Sequence, residues 1–120
     1  MKNRKVIIVD DSSLARMMVR KIFSTSFPEW RLIEAKDGDE ALAIDDSDLH
    51  LALIDFNMPG MNGIELAEKL MVKYPSLAVY LVTANIQERM HQRAESMGIG
   101  FIKKPIAEAK IAEVLNTLQA

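Results

Sequence analysis

Three carboxylates follow the ends of two apolar runs in this sequence. Asp10 and Asp11 come directly after Val6–Val9, and Asp55 comes directly after Leu51–Ile54. If the two runs are neighbouring parallel strands, the three side chains meet at one edge of a sheet. Like charges a few Å apart disfavour one another's ionisation, so three anions at this spacing require a cation. The spacing therefore predicts an acidic pocket for a hard divalent metal ion such as Mg²⁺, which prefers oxygen ligands.

The same residues also allow simpler interpretations. Asp10, Asp11 and Ser12 are residue types that commonly cap a helix, and Ser12 or Ser13 precedes a helical pattern. Asp55 is also compatible with a surface turn, although a carboxylate after a buried apolar run is costly without a partner. Taken alone, these residues leave capping and metal binding open.

Strand-like and helix-like segments alternate along the chain. The apolar segments predict five strands, at residues 5–9, 31–35, 49–54, 78–82 and 100–103. The remaining segments predict five helices, which run from Ser12 or Ser13 to Pro28, over 39–46, 64–74 and 86–97, and after Pro105. Strict alternation indicates an α/β fold whose parallel sheet is covered by helices on both faces. We expect residues 1–120 to form one domain.

Four of these helices show apolar residues at helical spacing, among them the first and the last. The apolar positions of the first are Leu14, Met17, Met18 and Ile22, and those of the last are Ala112, Leu115 and Leu118. Trp30 follows Pro28 and Glu29, where we expect a turn.

The composition is that of a globular domain. Hydrophobic residues make up 49% of the 120 residues and charged residues 27%, and cysteine is absent. The absence of cysteine excludes a disulfide framework and a thiolate metal site. Every apolar run is shorter than the ~18 residues of a membrane span, and the run after the basic start is too short for a signal peptide. We therefore expect a cytoplasmic protein without a membrane span.

Charge is distributed unevenly along the chain. Residues 37–68 carry nine acidic side chains and neither Lys nor Arg, whereas the net charge of the whole chain is only −2. No cluster of Lys and Arg dominates a single element, as it would in most nucleic-acid-binding domains. We therefore expect no nucleic-acid partner.

Open parallel sheets bind ligands outside the carboxyl ends of their strands, where the strand order reverses. In this chain that edge should carry Thr83 and residues 103–105 beside the three aspartates. Taken singly, a Thr at a strand end, such as Thr83, is usually a local capping group, and Lys103 and Lys104 are rivals for one role.

Four segments at these strand ends together resemble the receiver domain of two-component response regulators. They are IIVDDS at 7–12, LIDFNMPGMNG at 53–63, LVTA at 81–84 and FIKKP at 101–105. The resemblance covers essentially the whole chain and is specific because all four segments occur in order. It implies a doubly wound, flavodoxin- and CheY-like three-layer sandwich with strand order 2-1-3-4-5.

The resemblance also implies a role for each matching residue. Asp55 would accept a phosphoryl group from the phosphohistidine of a sensor histidine kinase or phosphotransfer protein. Mg²⁺ would be held by Asp10, Asp11, Asp55 and the backbone carbonyl of Asn57. The family places its lysine directly before proline, which favours Lys104 as the partner of the phosphoryl oxygens.

The remaining implied roles concern a conformational switch. The hydroxyl of Thr83 would bind the phosphoryl group, and Phe101 occupies the position of an aromatic residue that changes rotamer on activation. An output protein would then dock on the face formed by the helix at 86–97, the strand at 100–103 and the last helix. Such a domain is a signalling module rather than an enzyme, since it catalyses only its own phosphoryl transfer and dephosphorylation.

The chain departs from the family's commoner residues at positions that tune the signal. Asn57 and Asn85 stand where the family sets the lifetime of the phosphate, so the sequence does not predict that lifetime. Phe101 replaces the commoner tyrosine and lacks its hydroxyl group.

Three alternatives to a free-standing receiver follow from the same residues. The chain is also compatible with a receiver cut from a longer regulator that carries an output domain. A Mg²⁺-dependent aspartyl-phosphate phosphatase is disfavoured because Asp55 follows the third strand rather than the first. A flavodoxin-like FMN protein is disfavoured because an acidic pocket repels the FMN phosphate.

Overall fold

The structure is a computed structural model that describes residues 4–46, 48–58, 60–84 and 88–119. Strands and helices alternate along the chain as the sequence predicts. The strands are β1 (Arg4–Val9), β2 (Trp30–Ala35), β3 (Leu49–Asp55), β4 (Ala78–Thr83) and β5 (Gly100–Lys103). The helices are α1 (Ser13–Ser26), α2 (Gly38–Ala43), α3 (Gly63–Lys73), α4 (Glu88–Ser96) and α5 (Glu108–Gln119).

The five strands form one parallel sheet in the order β2-β1-β3-β4-β5. The predicted fold class and strand order are confirmed. From β1 the chain moves first to one side, to form β2, and then to the other side, to form β3. The strand order therefore reverses between β1 and β3, which places the ligand-binding crevice at the carboxyl ends of these two strands.

Two hydrophobic clusters fill the space on the two faces of the sheet. One contains buried residues of α2, α3 and α4, such as Leu66, Leu70 and Ala94. The other contains buried residues of α1 and α5, such as Phe23 and Ile111. Helices on both faces of a central sheet give three layers. The continuous apolar runs of the central strands follow from this arrangement, since both faces are buried.

The buried face of α1 differs from the stripe that the sequence makes most visible. Leu14, Met17 and Met18 are 61%, 50% and 52% exposed, whereas Val19 and Phe23 are almost fully buried. Val19 and Phe23 are four residues apart and lie on the side of the helix that faces the sheet. Of the predicted stripe, Ile22 packs against the cluster on this face, whereas Leu14, Met17 and Met18 remain exposed.

Helix α2 is shorter than the predicted 39–46 because groups from α3 bind its last carbonyls. Lys73 donates from Nζ to the carbonyls of Leu42 and Ile44 at 3.0 and 2.7 Å, and the hydroxyl of Tyr74 donates to Ile44 at 2.9 Å. These bonds satisfy carbonyls that the end of a helix leaves without a partner.

Two smaller differences and one agreement complete the comparison with the sequence. Trp30 is the buried first residue of β2 rather than a turn residue. The helix predicted at 86–97 is described from Glu88, and Asn85 and Ile86 lie outside the described residues. Within the described ranges, no helix combines the length and the apolar character that a membrane crossing requires.

Candidate metal centre at the carboxyl edge of the sheet

Asp10, Asp11 and Asp55 meet at the point where the strand order reverses. Each offers a carboxylate oxygen, and these three atoms all lie within 4.8 Å of one another. Asp10 and Asp55 are only 4% and 3% exposed, whereas Asp11 is exposed. The site is therefore an acidic pocket with a buried floor and one carboxylate at its mouth.

The backbone around Asp10 is fixed by its neighbours. Its N–H donates to the carbonyl of Ala35 on β2 at 3.1 Å, and its carbonyl accepts from Nη1 of Arg16. Its Oδ1 accepts the backbone N–H of Ser12 at 2.9 Å. The capping side chain of α1 is that of Ser12, which accepts the N–H of Ala15. The two adjacent aspartates are thus not the residues that cap this helix.

Burial raises the pKa of Asp10 above its usual value. The negative charges of Asp55 and Asp11 raise it further, while the N–H of Ser12 and the ammonium group of Lys104 act in the opposite direction. A cation between the carboxylates would favour the ionised form of Asp10.

Asp55 is the last residue of β3 and faces a positive charge across the pocket. Nζ of Lys104 lies 2.9 Å from Oδ1 of Asp55, and the two side chains are 37% and 5% exposed. The N–H of Lys104 donates to the carbonyl of Thr83 at 2.9 Å, which ties the loop after β5 to the end of β4. Lys103 is an exposed residue of β5. Of the two rival lysines, the structure brings Lys104 to Asp55.

The loop after β3 returns closely to the end of the strand. The N–H of Gly63 donates to the carbonyl of Phe56 at 3.2 Å. A Cβ atom at position 63 would lie 3.0 Å from Cα of Phe56 and 3.1 Å from the carbonyl oxygen of Asp55. Glycine is needed for this approach. Asn57, two residues after Asp55 in the sequence, is an exposed residue of this loop.

Thr83 ends β4 and is 1% exposed. It pairs in register with Lys103, and Leu81 pairs with Phe101. Side chains two residues apart on a strand lie on the same face of a sheet, so Thr83 and Phe101 share the face that α4 covers. Phe101 is partly buried against the cluster on that face.

The donor set of this pocket fits Mg²⁺. Mg²⁺ is held in proteins by one or more carboxylates and keeps several of its waters. The pocket offers three carboxylate oxygens. Those of Asp10 and Asp55 are on nearly buried side chains, and the exposed Asp11 lies at the mouth, where waters can remain. The set contains neither sulfur nor imidazole, which would favour a softer metal ion.

Sequence reasoning missed two contacts that bear on this edge. Arg16, which holds the carbonyl of Asp10, also approaches Glu34 at 3.3 Å, and Arg20 binds both oxygens of Glu34 at 2.8 and 2.9 Å. The second contact joins His91 of α4 to Phe101 of β5. Arg16 and Arg20 stand four residues apart, a spacing visible in the sequence, but their carboxylate partner is revealed only by the fold.

An apolar surface borders the pocket. A cavity of about 340 Å³ lies between α1 and the loop after β5. Its lining includes Met18, Pro105 and Ile106 as well as Asp10 and Lys104 of the pocket. With the exposed side chains of Leu14 and Met17, these apolar residues form a surface that we term the α1 patch.

Comparisons with known proteins identify relatives along nearly the whole chain. The family model described as response regulator receiver domain matches residues 6–116. The chemotaxis protein CheY-3 of Vibrio cholerae is 33% identical over 122 residues, which cover 98% of this chain and 92% of that protein. A solved CheY-like receiver domain protein from Methanospirillum hungatei superposes with a TM-score of 0.88 at 25% identity, covering 98% of this chain and 95% of that one.

Other relatives are much longer than this chain. The glycerol metabolism activator of Pseudomonas putida is 30% identical over 117 residues, which cover 95% of this chain and 53% of that protein. A cyclic di-GMP phosphodiesterase of Thermotoga maritima is 33% identical over 102 residues, which cover 84% of this chain and 27% of that protein. The chain thus spans about half or less of the length of these two relatives.

Proposed function

The chain belongs to the response regulator receiver domain family, a family of signalling modules, and from this premise we propose that Asp55 is its phospho-acceptor. The phosphoryl donor is the phosphohistidine of a sensor histidine kinase or of a phosphotransfer protein. The observation that carries the proposal is the place of Asp55: nearly buried, beside two further carboxylates and 2.9 Å from a lysine ammonium group. The domain extends over residues 1–120, and its compartment is the cytoplasm.

The transfer begins with attack of a carboxylate oxygen of Asp55 on phosphorus. A P–O bond forms, the P–N bond to the donor histidine breaks, and the imidazole leaves with the electron pair of that bond. Lys104 stands where its ammonium group pairs with a phosphoryl oxygen, and Thr83 offers a hydroxyl group to another. Phosphoryl transfer depends mainly on such positioning and charge neutralisation.

Asp10, Asp11, Asp55 and the backbone carbonyl of Asn57 are the proposed protein ligands of Mg²⁺. When bound, the ion neutralises negative charge on the phosphoryl oxygens. Asp10 and Asp11 are not modified in this reaction. Their negative charges would therefore still attract the ion after Asp55 has been phosphorylated.

Phosphorylation then changes a surface for an output partner. The phosphoryl group adds negative charge and acceptor oxygens beside Thr83. Because Thr83 and Phe101 share one face of the sheet, movement of Thr83 opens space into which the ring of Phe101 turns. The face of α4, β5 and α5 changes shape for the partner, as in a two-state equilibrium biased by a local charge.

The protein donor approaches across the α1 patch. A phosphohistidine on a protein reaches Asp55 only if the donor covers the surface around the pocket mouth. The α1 patch lies at this mouth, and contiguous exposed apolar surface is typical of protein contact sites. Acetyl phosphate, a small donor, needs no such contact.

The test replaces the acceptor. Asp55→Asn and the unaltered protein are incubated with acetyl phosphate and Mg²⁺, and the intact mass is measured. We expect the unaltered protein to gain the mass of one phosphoryl group and the variant to gain none. Asp39→Asn, an exposed aspartate of α2, is the matched control and should be phosphorylated normally. Uptake of phosphate by a folded Asp55→Asn variant would remove Asp55 from its proposed role.

The longer relatives support the alternative that this receiver controls a domain attached to it. Two of them exceed this chain in length by a wide margin. Immunoblotting of the cells of origin with an antibody to this domain distinguishes the alternatives. A band near 13.5 kDa indicates action by docking alone, and a larger band indicates an attached output domain.

A further inference from the structure

His91 and Phe101 form a stacked pair on the face where an output partner would dock. Their ring centroids are 5.0 Å apart, and the ring planes differ by 12°. Parallel rings at this separation are an attractive arrangement for aromatic groups. The His91 side chain is 44% exposed, so the imidazole covers the Phe101 ring while remaining in contact with solvent.

Helix geometry explains why His91 reaches this ring. Ala94 is fully buried and marks the side of α4 that packs on the sheet. His91 lies three residues earlier and therefore on the same side, one turn closer to the start of the helix. Phe101 extends from β5 towards that turn. Glu95 lies 3.3 Å from Nδ1 of His91 and helps to hold the ring plane.

The pair compensates for the hydroxyl group that Phe101 lacks. A phenylalanine ring has no donor with which a hydrogen bond could fix its rotamer. The position of such a ring is set by what its faces contact. Among the described residues, the imidazole of His91 stacks on the Phe101 ring, and the ring also packs against the cluster under α4.

We infer that His91 is a positioning residue that holds the ring of Phe101 against α4 in the unphosphorylated protein, and that this stack breaks on activation. The inference rests on the proposed function, in which Phe101 turns towards Thr83. An interaction made in only one of two states shifts the equilibrium towards that state. The stack therefore opposes activation, and its strength sets how readily the phosphorylated state forms.

The first test observes the stack directly. His91 and His50 are the two histidines of the chain, and His50 packs edge-on against Trp30, far along the sheet from the pocket. In proton NMR at one pH, the Phe101 ring current should shift the carbon-bound imidazole protons of His91. Phe101→Leu should abolish this shift, and the His50 signals should not move.

Beryllofluoride with Mg²⁺, a mimic of the phosphoryl group, then tests the breaking of the stack. Its binding at Asp55 is followed independently by fluorine NMR. We expect the His91 protons to move towards their positions in the Phe101→Leu variant when the mimic binds. The His50 protons again serve as the internal reference.

The second test measures the equilibrium. His91→Ala should bind beryllofluoride more tightly than the unaltered protein by about two- to tenfold, the factor that loss of one aromatic pair contributes. His91→Phe, which restores a stacking ring, should return the affinity towards the original value. Gln92→Ala is the matched control, because Gln92 is an exposed neighbour on the same helix whose side chain contacts Glu88.

The outcomes separate this inference from the proposed function. If beryllofluoride binds but the His91 protons stay where they were, the stack persists and the inference is wrong while Asp55 keeps its role. The same conclusion follows if His91→Ala binds the mimic no more tightly than Gln92→Ala does. If the unaltered protein does not bind the mimic in the presence of Mg²⁺, the proposed function and the inference both fail.

Discussion

The ammonium group of Lys104 lies 2.9 Å from Oδ1 of Asp55. The contact joins the loop after β5 to the end of β3, and β4 separates these two strands in the sheet. A hydrogen bond from the N–H of Lys104 to the carbonyl of Thr83 fixes the loop that carries the lysine. In the proposed transfer, the positive charge would therefore be in place before a phosphoryl group arrives, and little reorganisation would be needed.

Lys104→Gln should slow phosphorylation by acetyl phosphate on the order of a hundredfold, the lower end of what loss of one positioned donor costs. We choose the lower end because the Lys104 side chain is 37% exposed and partly screened by water. Initial rates of mass gain measure the effect. Lys103→Gln makes the same charge change one residue away on an exposed side chain. Equal effects of the two substitutions would contradict a specific role for Lys104.

Asp10→Asn should stabilise the protein at neutral pH when Mg²⁺ is absent. Burial raises the pKa of Asp10 in the folded state above its value of 3.8 in the unfolded chain. Protonation of Asp10 therefore adds to the free energy of unfolding. This contribution is complete below the pKa of Asp10 in the unfolded chain and is lost as pH rises through its higher pKa in the folded protein. At neutral pH the ionised group thus destabilises the fold. Neutral asparagine should raise Tm by a few degrees, the change that ~1 kcal/mol produces in a domain of this size.

Addition of Mg²⁺ should reverse this order. At the proposed site, Mg²⁺ would stabilise the unaltered protein by binding its folded state, whereas Asp10→Asn would lack one proposed ligand. Thermal unfolding with and without Mg²⁺ measures both effects. Asp11→Asn is the informative comparison: Asp11 is exposed, so this variant should lose the response to Mg²⁺ without the gain in Tm. A lower Tm of Asp10→Asn without Mg²⁺ would count against the argument.

The sequence predicts the sheet well because the central strands are continuous apolar runs. The strand predicted at 100–103 agrees with β5 residue for residue. The buried side of α1 was not predictable, since Leu14 and Met17 are as apolar as Val19 and only the orientation of the helix on the sheet distinguishes them. The local sequence pattern indicates which residues are apolar enough to be buried. Which of these residues are actually buried depends on tertiary contacts.

The site shows the same division between local and tertiary information. The three aspartates were predictable from strand ends, because parallel strands bring their carboxyl ends to one edge. The choice of Lys104 over Lys103 came from family resemblance, and the structure brings Lys104 to Asp55. The stack of His91 on Phe101 has no local signal, because it depends on how α4 lies across β5.

Glu34→Gln should make stability less sensitive to acid. The hydrogen bond from Arg20 is the main cause of the lowered pKa of Glu34, and the charges of Arg20 and Arg16 add to it. Because the pKa of Glu34 is lower in the folded protein than its value of 4.5 in the unfolded chain, the ionised side chain adds to the free energy of unfolding. This contribution is present above pH 4.5 and is lost as pH falls through the pKa of the folded protein. The unaltered protein should therefore be more stable than the variant at neutral pH, by a small amount because the pair lies at the surface.

Urea unfolding of the two proteins across the acid range measures this difference. It should shrink towards zero below the folded pKa of Glu34. Glu29→Gln, an exposed glutamate outside the described ion pairs, should show no such trend. A difference between the unaltered protein and Glu34→Gln that stays constant with pH would mean that the glutamine acts through packing rather than through charge.

Met18→Asp should separate protein donors from small donors. Met18 is 52% exposed, lines the cavity beside Asp10 and Lys104, and belongs to the α1 patch. A charge in an apolar contact surface weakens docking of a protein partner, and loss of one central contact costs about 1–3 kcal/mol. We therefore expect kcat/KM for transfer from a phosphorylated kinase or phosphotransfer protein to fall by roughly ten- to a hundredfold. The rate with acetyl phosphate should stay nearly constant, since a small donor does not contact the patch.

Val72→Asp is the matched control, because Val72 is an 83% exposed residue of α3 outside the α1 patch. Equal losses with both kinds of donor would place the effect in the pocket and would contradict docking on α1.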